Sequence, residues 1–326
     1  MHTQTHQSTQ NADRAAWLAQ RRSGIGGSDI GAILGENPYR TALDVWLDKT
    51  GRAQPDETSE AAHFGTLLEG VVADEYAART GRRVQRVNQI LRHRAHPWAL
   101  ANIDRAIINP DIAGRVRFAD GRLTTDRILE CKTSNAFATR DWGEAGTDAV
   151  PPSYLLQCQW YMEITGAQYC DLAVLIGGQK FQIFSMEHDA ELAEALLERA
   201  AEFWRCVETD TPPEPTNVAD CARLWRKHEA GKSVIVSDST AAACARLAEI
   251  AAEEKALKAE ADTLKAEVMA AMGDAEEITH AGSRLATWKT QSTTRLDSTA
   301  MKAAHPEIWQ QFAKTSESRV FRLAAR

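Results

Sequence analysis

The six cysteines contain no Cys-x-x-Cys pair and stand singly from Cys131 to Cys244. That spacing excludes the common zinc sites and gives no disulfide framework, which suits a reducing compartment. No apolar run is long enough to span a bilayer. The polar opening lacks the apolar centre of a signal peptide. A Gly-x-x-x-x-Gly-Lys-Ser/Thr loop is absent too, which argues against an ATP-driven motor. Positive charge is short: 38 Lys and Arg face 45 Asp and Glu, a net charge of −7. Any contact with a polyanion must therefore come from a local patch. What remains is ordinary for a globular protein, with 44% hydrophobic and 25% charged residues in 326. That length holds one large domain and a smaller one.

The stretch Ile128-Leu129-Glu130-Cys131-Lys132-Thr133 carries the most chemistry. Strand alternation puts Glu130 and Lys132 on one face and Cys131 on the other. A carboxylate beside an ammonium at a strand end can hold a hard cation and a phosphoryl oxygen together; a surface ion pair gives the same letters. Upstream, Leu100 to Ile108 reads as a strand with Asp104 inside it. Asp is disfavoured in strands, so Asp104 needs a partner. A metal shared with Glu130 is one answer, and a salt bridge to Arg105 or a turn is the other.

Residues 1–13 read as a disordered polar tail, with Asp13 capping a short helix from Arg14 to Arg22. The run Arg22-Ser-Gly-Ile-Gly-Gly-Ser28 then lets the backbone approach a ligand closely, and Ser28 is placed to cap the next helix. Exposed N–H groups at a helix start bind anions; a tight turn with a routine cap is the alternative. Helices are expected over 41–50 and 63–80, closed by Gly51 and Gly81. Glu69, beside the apolar stripe of the second, is either a helix-flank charge or a third acidic group of the site. Arg82, Arg83 and Arg86 open the densest basic stretch, either a duplex-binding patch or a solvated face. A hairpin turning at Asp120-Gly121 leads to the Glu130 strand.

Pro151-Pro152-Ser153 announces a helix to Gly166 with Ser153 as cap. Gln157 and Tyr161 share one of its faces. Strands over 169–176 and 180–186 flank Gly177-Gly178-Gln179, and a helix follows from Asp189 to Glu208. The stiff Thr211-Pro-Pro-Glu-Pro-Thr216 marks a boundary. The expected division is a tail over 1–13, a core over 14–210, a linker over 211–235 and an accessory region over 236–326. That region should hold a long coiled-coil-like helix near 240–272, a hairpin turning at Ala281-Gly282 and a last strand over 319–323.

Arg22 to Asp29, Asn37-Pro-Tyr-Arg-Thr41, Gly65-Thr-Leu-Leu-Glu69, Ala101-Asn-Ile-Asp104, Leu129-Glu-Cys-Lys132 and Gln157-Cys-Gln-Trp-Tyr161 together resemble the YqaJ-like viral recombinase family. Its members are phage exonucleases of the PD-(D/E)xK nuclease superfamily, related to the lambda type. The resemblance covers about residues 14–215; Asn102-Ile103 stand where the superfamily's Pro usually precedes the Asp. It implies an α+β fold with a central mixed sheet flanked by helices. It also implies a Mg²⁺-dependent 5′→3′ exonuclease on linear duplex DNA, with Mn²⁺ as a substitute. The enzyme would leave 3′ tails for a single-strand annealing partner, working as a ring, a trimer, in a bacterial cytoplasm. In that scheme Asp104, Glu130 and the backbone carbonyl of Cys131 hold the metal and Lys132 activates water. Glu69 supports the metal site, Gln157 steadies Lys132, and Arg22 and Ser28 take the terminal 5′ phosphate. The alternatives are a related endonuclease, or a non-catalytic DNA-end or scaffold protein.

Overall fold

A computed structural model describes residues 19–53 and 59–324. The expected tail over 1–13, the start of the first helix and residues 54–58 lie outside the described residues. The chain divides after Asp220 into two units.

The first unit is built on a five-stranded mixed sheet, so the expected fold class holds. Its elements in chain order are α1 (Gly27–Ile33), α2 (Ala42–Lys49), α3 (Glu60–Thr80), β1 (Val84–Gln85), β2 (Leu91–Arg92), β3 (Leu100–Ala101) and β4 (Arg105–Ile107). Then come β5 (Phe118–Ala119), β6 (Arg122–Leu123), β7 (Arg127–Ser134), α4 (Pro152–Thr165), β8 (Tyr169–Ile176), β9 (Lys180–Glu187) and α5 (Ala190–Glu208). The sheet order is β1-β4-β7-β8-β9. Strand β7 pairs in parallel with β8 along its whole length and antiparallel with β4. The connection between the parallel pair runs through α4, as parallel neighbours require.

Alternation along β7 sorts its side chains. Leu129 and Cys131 pack on Val72, Ala73 and Tyr76 of α3, with Ile107 and Ala173. Glu130 and Lys132 face the other way and meet Gln157 of α4. Full burial of Trp160, Tyr76 and Phe184 anchors both layers, each side chain worth on the order of 2 kcal/mol.

Helix ends follow their sequence signals, with two exceptions. Thr41 caps α2 through a capping box with Asp44, and α3 and α4 close on left-handed Gly81 and Gly166. Ser28 does not cap α1: the cap is Gly26, whose N–H donates to Asp29 at 3.0 Å. Ser153 does not cap α4 either, because Pro151 holds the cap and Pro152 the first turn. Asp104 is not inside a strand but in the bend between β3 and β4. The turn at Asp120 and Gly121 has both φ positive, at 52° and 78°, as a tight hairpin demands.

The second unit holds most of α6 (Val218–Leu224), the long α7 (Asp238–Met272), β10 (Glu277–His280), β11 (Ser283–Thr287), α8 (Ser298–Ala304) and α9 (Pro306–Phe312). The hairpin turns at Ala281-Gly282, as read from the sequence. Residues 319–323 form no strand: among the described residues no strand pairs with them. The stretch over 211–220 belongs to the first unit, where buried Asp220 accepts hydrogen bonds from Thr41 and Thr216. The expected linker thus contains α6 and is cut by the division.

Candidate functional site

Glu130 is 3% exposed, and its two oxygens differ. Oε1 accepts from Lys132 Nζ at 2.7 Å and from Gln157 Nε2 at 2.7 Å. Oε2 is buried without a hydrogen-bond partner. Gln157 also accepts from Lys132 Nζ at 3.1 Å and donates to the Tyr161 hydroxyl at 3.2 Å, which fixes its amide orientation. The Lys132 ammonium lies 5.0 Å from the centre of the Tyr154 ring. Asp104 reaches the same strand from its bend and accepts the Cys131 N–H at 2.8 Å.

With both ionised, the half-buried Asp104 and the buried Glu130 carry more negative charge than the one lysine offsets. Burial, then the Glu130 charge, pushes the Asp104 carboxyl up to about 8. Burial raises Glu130 as well, against the pull of Lys132. Lys132 is raised too: burial works against its charge, but Glu130 and Asp104 hold it firmly as an ammonium.

Glu69 shares a cavity of about 520 Å³ with Asp104, Asn102 and Arg86. Its carboxylate is held by Arg105 at 2.5 Å, and Arg86 approaches it at 3.6 Å. Glu69 therefore borders the site with its charge already paired. Of the basic residues singled out in the sequence, Arg86 lines this cavity and Arg83 is exposed. Arg82 is turned to structural use: it pairs with Asp171, a buried carboxylate that also takes Arg127, Ser185 and the Tyr76 hydroxyl.

The glycine-rich segment is strapped to the same region. Ile25 bridges to Ala99 beside β3, with Ile25 N–H donating to Trp98 at 2.7 Å. A Cβ on Gly24 would sit 2.1 Å from the Trp98 carbonyl oxygen, so only glycine permits this approach. Arg21 and Ser28 line a small pocket with Gly26, Asn102 and Tyr161, and Arg21 Nη2 donates to Ser28 Oγ at 3.2 Å. Arg22 instead points to Asp48, 3.6 Å away. The arginine beside Ser28 is thus Arg21. Fully buried Asp29 braces the segment from below. It receives Lys49 at 2.6 Å and Arg40 at 3.1 Å. Burial works against its charge, but Lys49, Arg21 and Arg40 together hold its carboxyl at about 2.

The structure thus brings together Asp104, Glu130, Lys132 and Gln157, sets Glu69 and Arg86 at their edge, and leaves Arg22 and Arg82 outside. Four contributors escaped the sequence reading: Arg21, Asp29, Arg105 and Tyr154. Arg105 carried a signal, as neighbour of Asp104, but its guanidinium holds Glu69. Among the described residues no cluster of three or more His, Cys, Asp or Glu could hold a metal ion; the site offers a pair. No helix among them is long and apolar enough to cross a membrane.

Residues 16–168 match the model of the YqaJ-like viral recombinase domain. Protein YqaJ of Bacillus subtilis is 34% identical over 316 residues, covering 94% of this chain and 93% of that protein. The chain belongs to the YqaJ-like viral recombinase family. Protein R354 of Acanthamoeba polyphaga mimivirus is 27% identical over 155 residues, 48% of this chain and 27% of that one. Among solved structures, an alkaline exonuclease from Laribacter hongkongensis shares 18% identity, with 60% of this chain and 94% of that chain covered and a TM-score of 0.47.

Proposed function

We propose that this protein is a Mg²⁺-dependent nuclease that degrades one strand of linear duplex DNA from the 5′ end. The product is a 3′ single-stranded tail for a strand-annealing partner. The observation that carries the reading is the buried, unpartnered Glu130 Oε2 beside Asp104. An orphan carboxylate oxygen in a site with excess negative charge is costly unless a cation completes it. Mg²⁺ characteristically takes one or two carboxylates, keeps waters and shares substrate phosphate oxygens. A pair of carboxylates therefore suffices. Asp104, Glu130 and the Cys131 carbonyl are the groups that would hold it, and Mn²⁺ suits the same oxygen donors. When bound, the ion supplies Lewis-acid polarisation of the phosphodiester, a more acidic water and compensation of developing charge.

The chain's own residues do the positioning. Lys132, held between Glu130 and Gln157, points an ammonium where a water or phosphoryl oxygen can accept from it. Tyr161 holds Gln157 in that register. Arg105 keeps the Glu69 carboxylate at the edge of the cavity. Arg21 and Ser28 present donors for a terminal 5′ phosphate, taking the part the sequence reading gave to Arg22. Arg83 and Arg86 extend this side toward the duplex backbone. An acidic chain with so local a basic surface gains from a closed ring, a trimer around one duplex, and works in a bacterial cytoplasm as a phage or prophage protein.

The test compares matched linear and circular duplexes, with and without Mg²⁺. The expected result is metal-dependent loss of the 5′-ended strand from linear DNA and intact circles. Cleavage of circles at a comparable rate would overturn the exonuclease reading.

A further inference from the structure

Helix α7 runs for 35 residues, and Met272 is its one buried side chain. At 1.5 Å per residue it is about 52 Å long. Leu247, Ile250, Leu257, Leu264 and Val268 lie along one seam at alternating spacings of three and four, with Glu254 and Ala261 filling the gaps. The seam is open to solvent: Leu257 is 65% exposed and Leu264 is 53% exposed. A seam of this period is buried by another helix that supercoils with it.

The flanking charges say which helix. On one side of the seam, immediately after Leu257 and Leu264, stand Lys258 and Lys265. On the other stand Arg246, Glu253, Glu260 and Glu267, with Glu253 also accepting from Arg246 of its own helix at 2.8 Å. Glu253 and Lys258 are five residues apart, as are Glu260 and Lys265. That spacing does not bring two side chains together on a single helix, where neighbours are three or four apart. It is the spacing that joins facing flanks of two parallel, in-register helices. We infer that α7 pairs with the same helix of a second copy of this chain, in parallel, with Glu253 against Lys258 and Glu260 against Lys265 of the facing helix. In an antiparallel pairing Glu253 would face Glu260 and Lys258 would face Lys265, so these four charges favour the parallel arrangement. Glu254, inside the seam, weakens the association and penalises shifted registers, as a polar seam residue does. Parallel pairing requires that the rotation axis of the assembly run along the seam. The inference does not depend on the nuclease reading.

The test uses the full-length protein with exposed Cys221 and Cys244 changed to Ser. Ile250→Cys and Leu264→Cys are then made separately and oxidised mildly. Parallel, in-register pairing predicts that each variant crosslinks to itself. No self-crosslink, or a crosslink only when the two variants are mixed, overturns the parallel arrangement; the second pattern marks an antiparallel pair. Charge reversal gives a second reading that leaves the seam intact. Lys258→Glu with Lys265→Glu, and Glu253→Lys with Glu260→Lys, should each weaken association by about tenfold, and mixing them should restore it. Weakening that mixing does not restore, or a full-length protein that stays monomeric by light scattering with wild-type α7, refutes the assignment. A monomer would leave the seam to a different protein.

Discussion

Replacing Asp104 with Asn should make the metal-free protein more stable, and increasingly so as pH rises. Asn keeps an oxygen that can accept the Cys131 N–H and replaces the ionisable oxygen with a neutral amide nitrogen. Burial and the Glu130 charge raise the Asp104 carboxyl from an ordinary 3.8 to about 8. A raised carboxyl costs nothing below its unfolded value, and its cost grows as pH climbs toward the folded one. At neutral pH the gap corresponds to about 4 kcal/mol as a ceiling, at about 1.4 kcal/mol per unit. Glu130 shares the strain, so a gain of roughly 2 kcal/mol is the working figure, or several degrees in Tm. The assay is thermal and urea unfolding of both proteins in EDTA, from about pH 5 to about pH 8. The difference should widen with pH, and saturating Mg²⁺ should stabilise the wild type selectively. An Asn variant no more stable than wild type at the alkaline end, or a pH-independent difference, refutes the electrostatic account of the site.

Three further outcomes follow from the packing around it. A Cβ on Gly27 would stand 2.4 Å from the Tyr161 ring and 3.0 Å from Gln157; Gly27→Ala should lower turnover by up to about a hundredfold while DNA binding survives, and unchanged kinetics would contradict the positioning role of Tyr161. Lys49→Met removes the buried partner of Asp29, so urea unfolding should report a loss of about 3 kcal/mol. Because that partner helps depress the Asp29 carboxyl, the variant's acid unfolding should also begin at higher pH than the wild type's, which keeps this stability until pH falls from about 4 toward 2. Arg21→Ala should erase any preference for 5′-phosphorylated over 5′-hydroxyl ends, whereas Arg22→Ala should keep it; the reverse pattern would return the phosphate to Arg22.

Much of this was legible in the residues, because the signals were local. Strand alternation sorted Glu130 and Lys132 from Cys131, and the Gly177-Gly178-Gln179 turn placed β8 and β9 within a residue. The glycines at 81 and 166 ended their helices for a conformational reason any sequence shows. What failed depended on tertiary partners. Two adjacent arginines, Arg21 and Arg22, differ only in which way the first helix turns them. Arg82 is basic in sequence, but a buried Asp171 almost ninety positions away claims it. Asp104 looked like a strand residue because apolar neighbours surround it, yet the bend that frees its carboxylate is set by the packing of β3 and β4. Residues 319–323 have strand composition, but among the described residues no strand pairs with them.

The central claim is that the Asp104 and Glu130 carboxylates form a metal-dependent site for breaking DNA from an end. Glu130→Gln tests it most directly, on linear duplex labelled at the 5′ end. Gln keeps the size and the hydrogen-bonding frame and withdraws the charge that a cation would need. The expected result is unaltered DNA binding with no Mg²⁺-stimulated release of label, while the wild type releases it steadily. A Glu130→Gln protein that still removes the 5′ label in Mg²⁺ at a rate near that of the wild type would contradict the account.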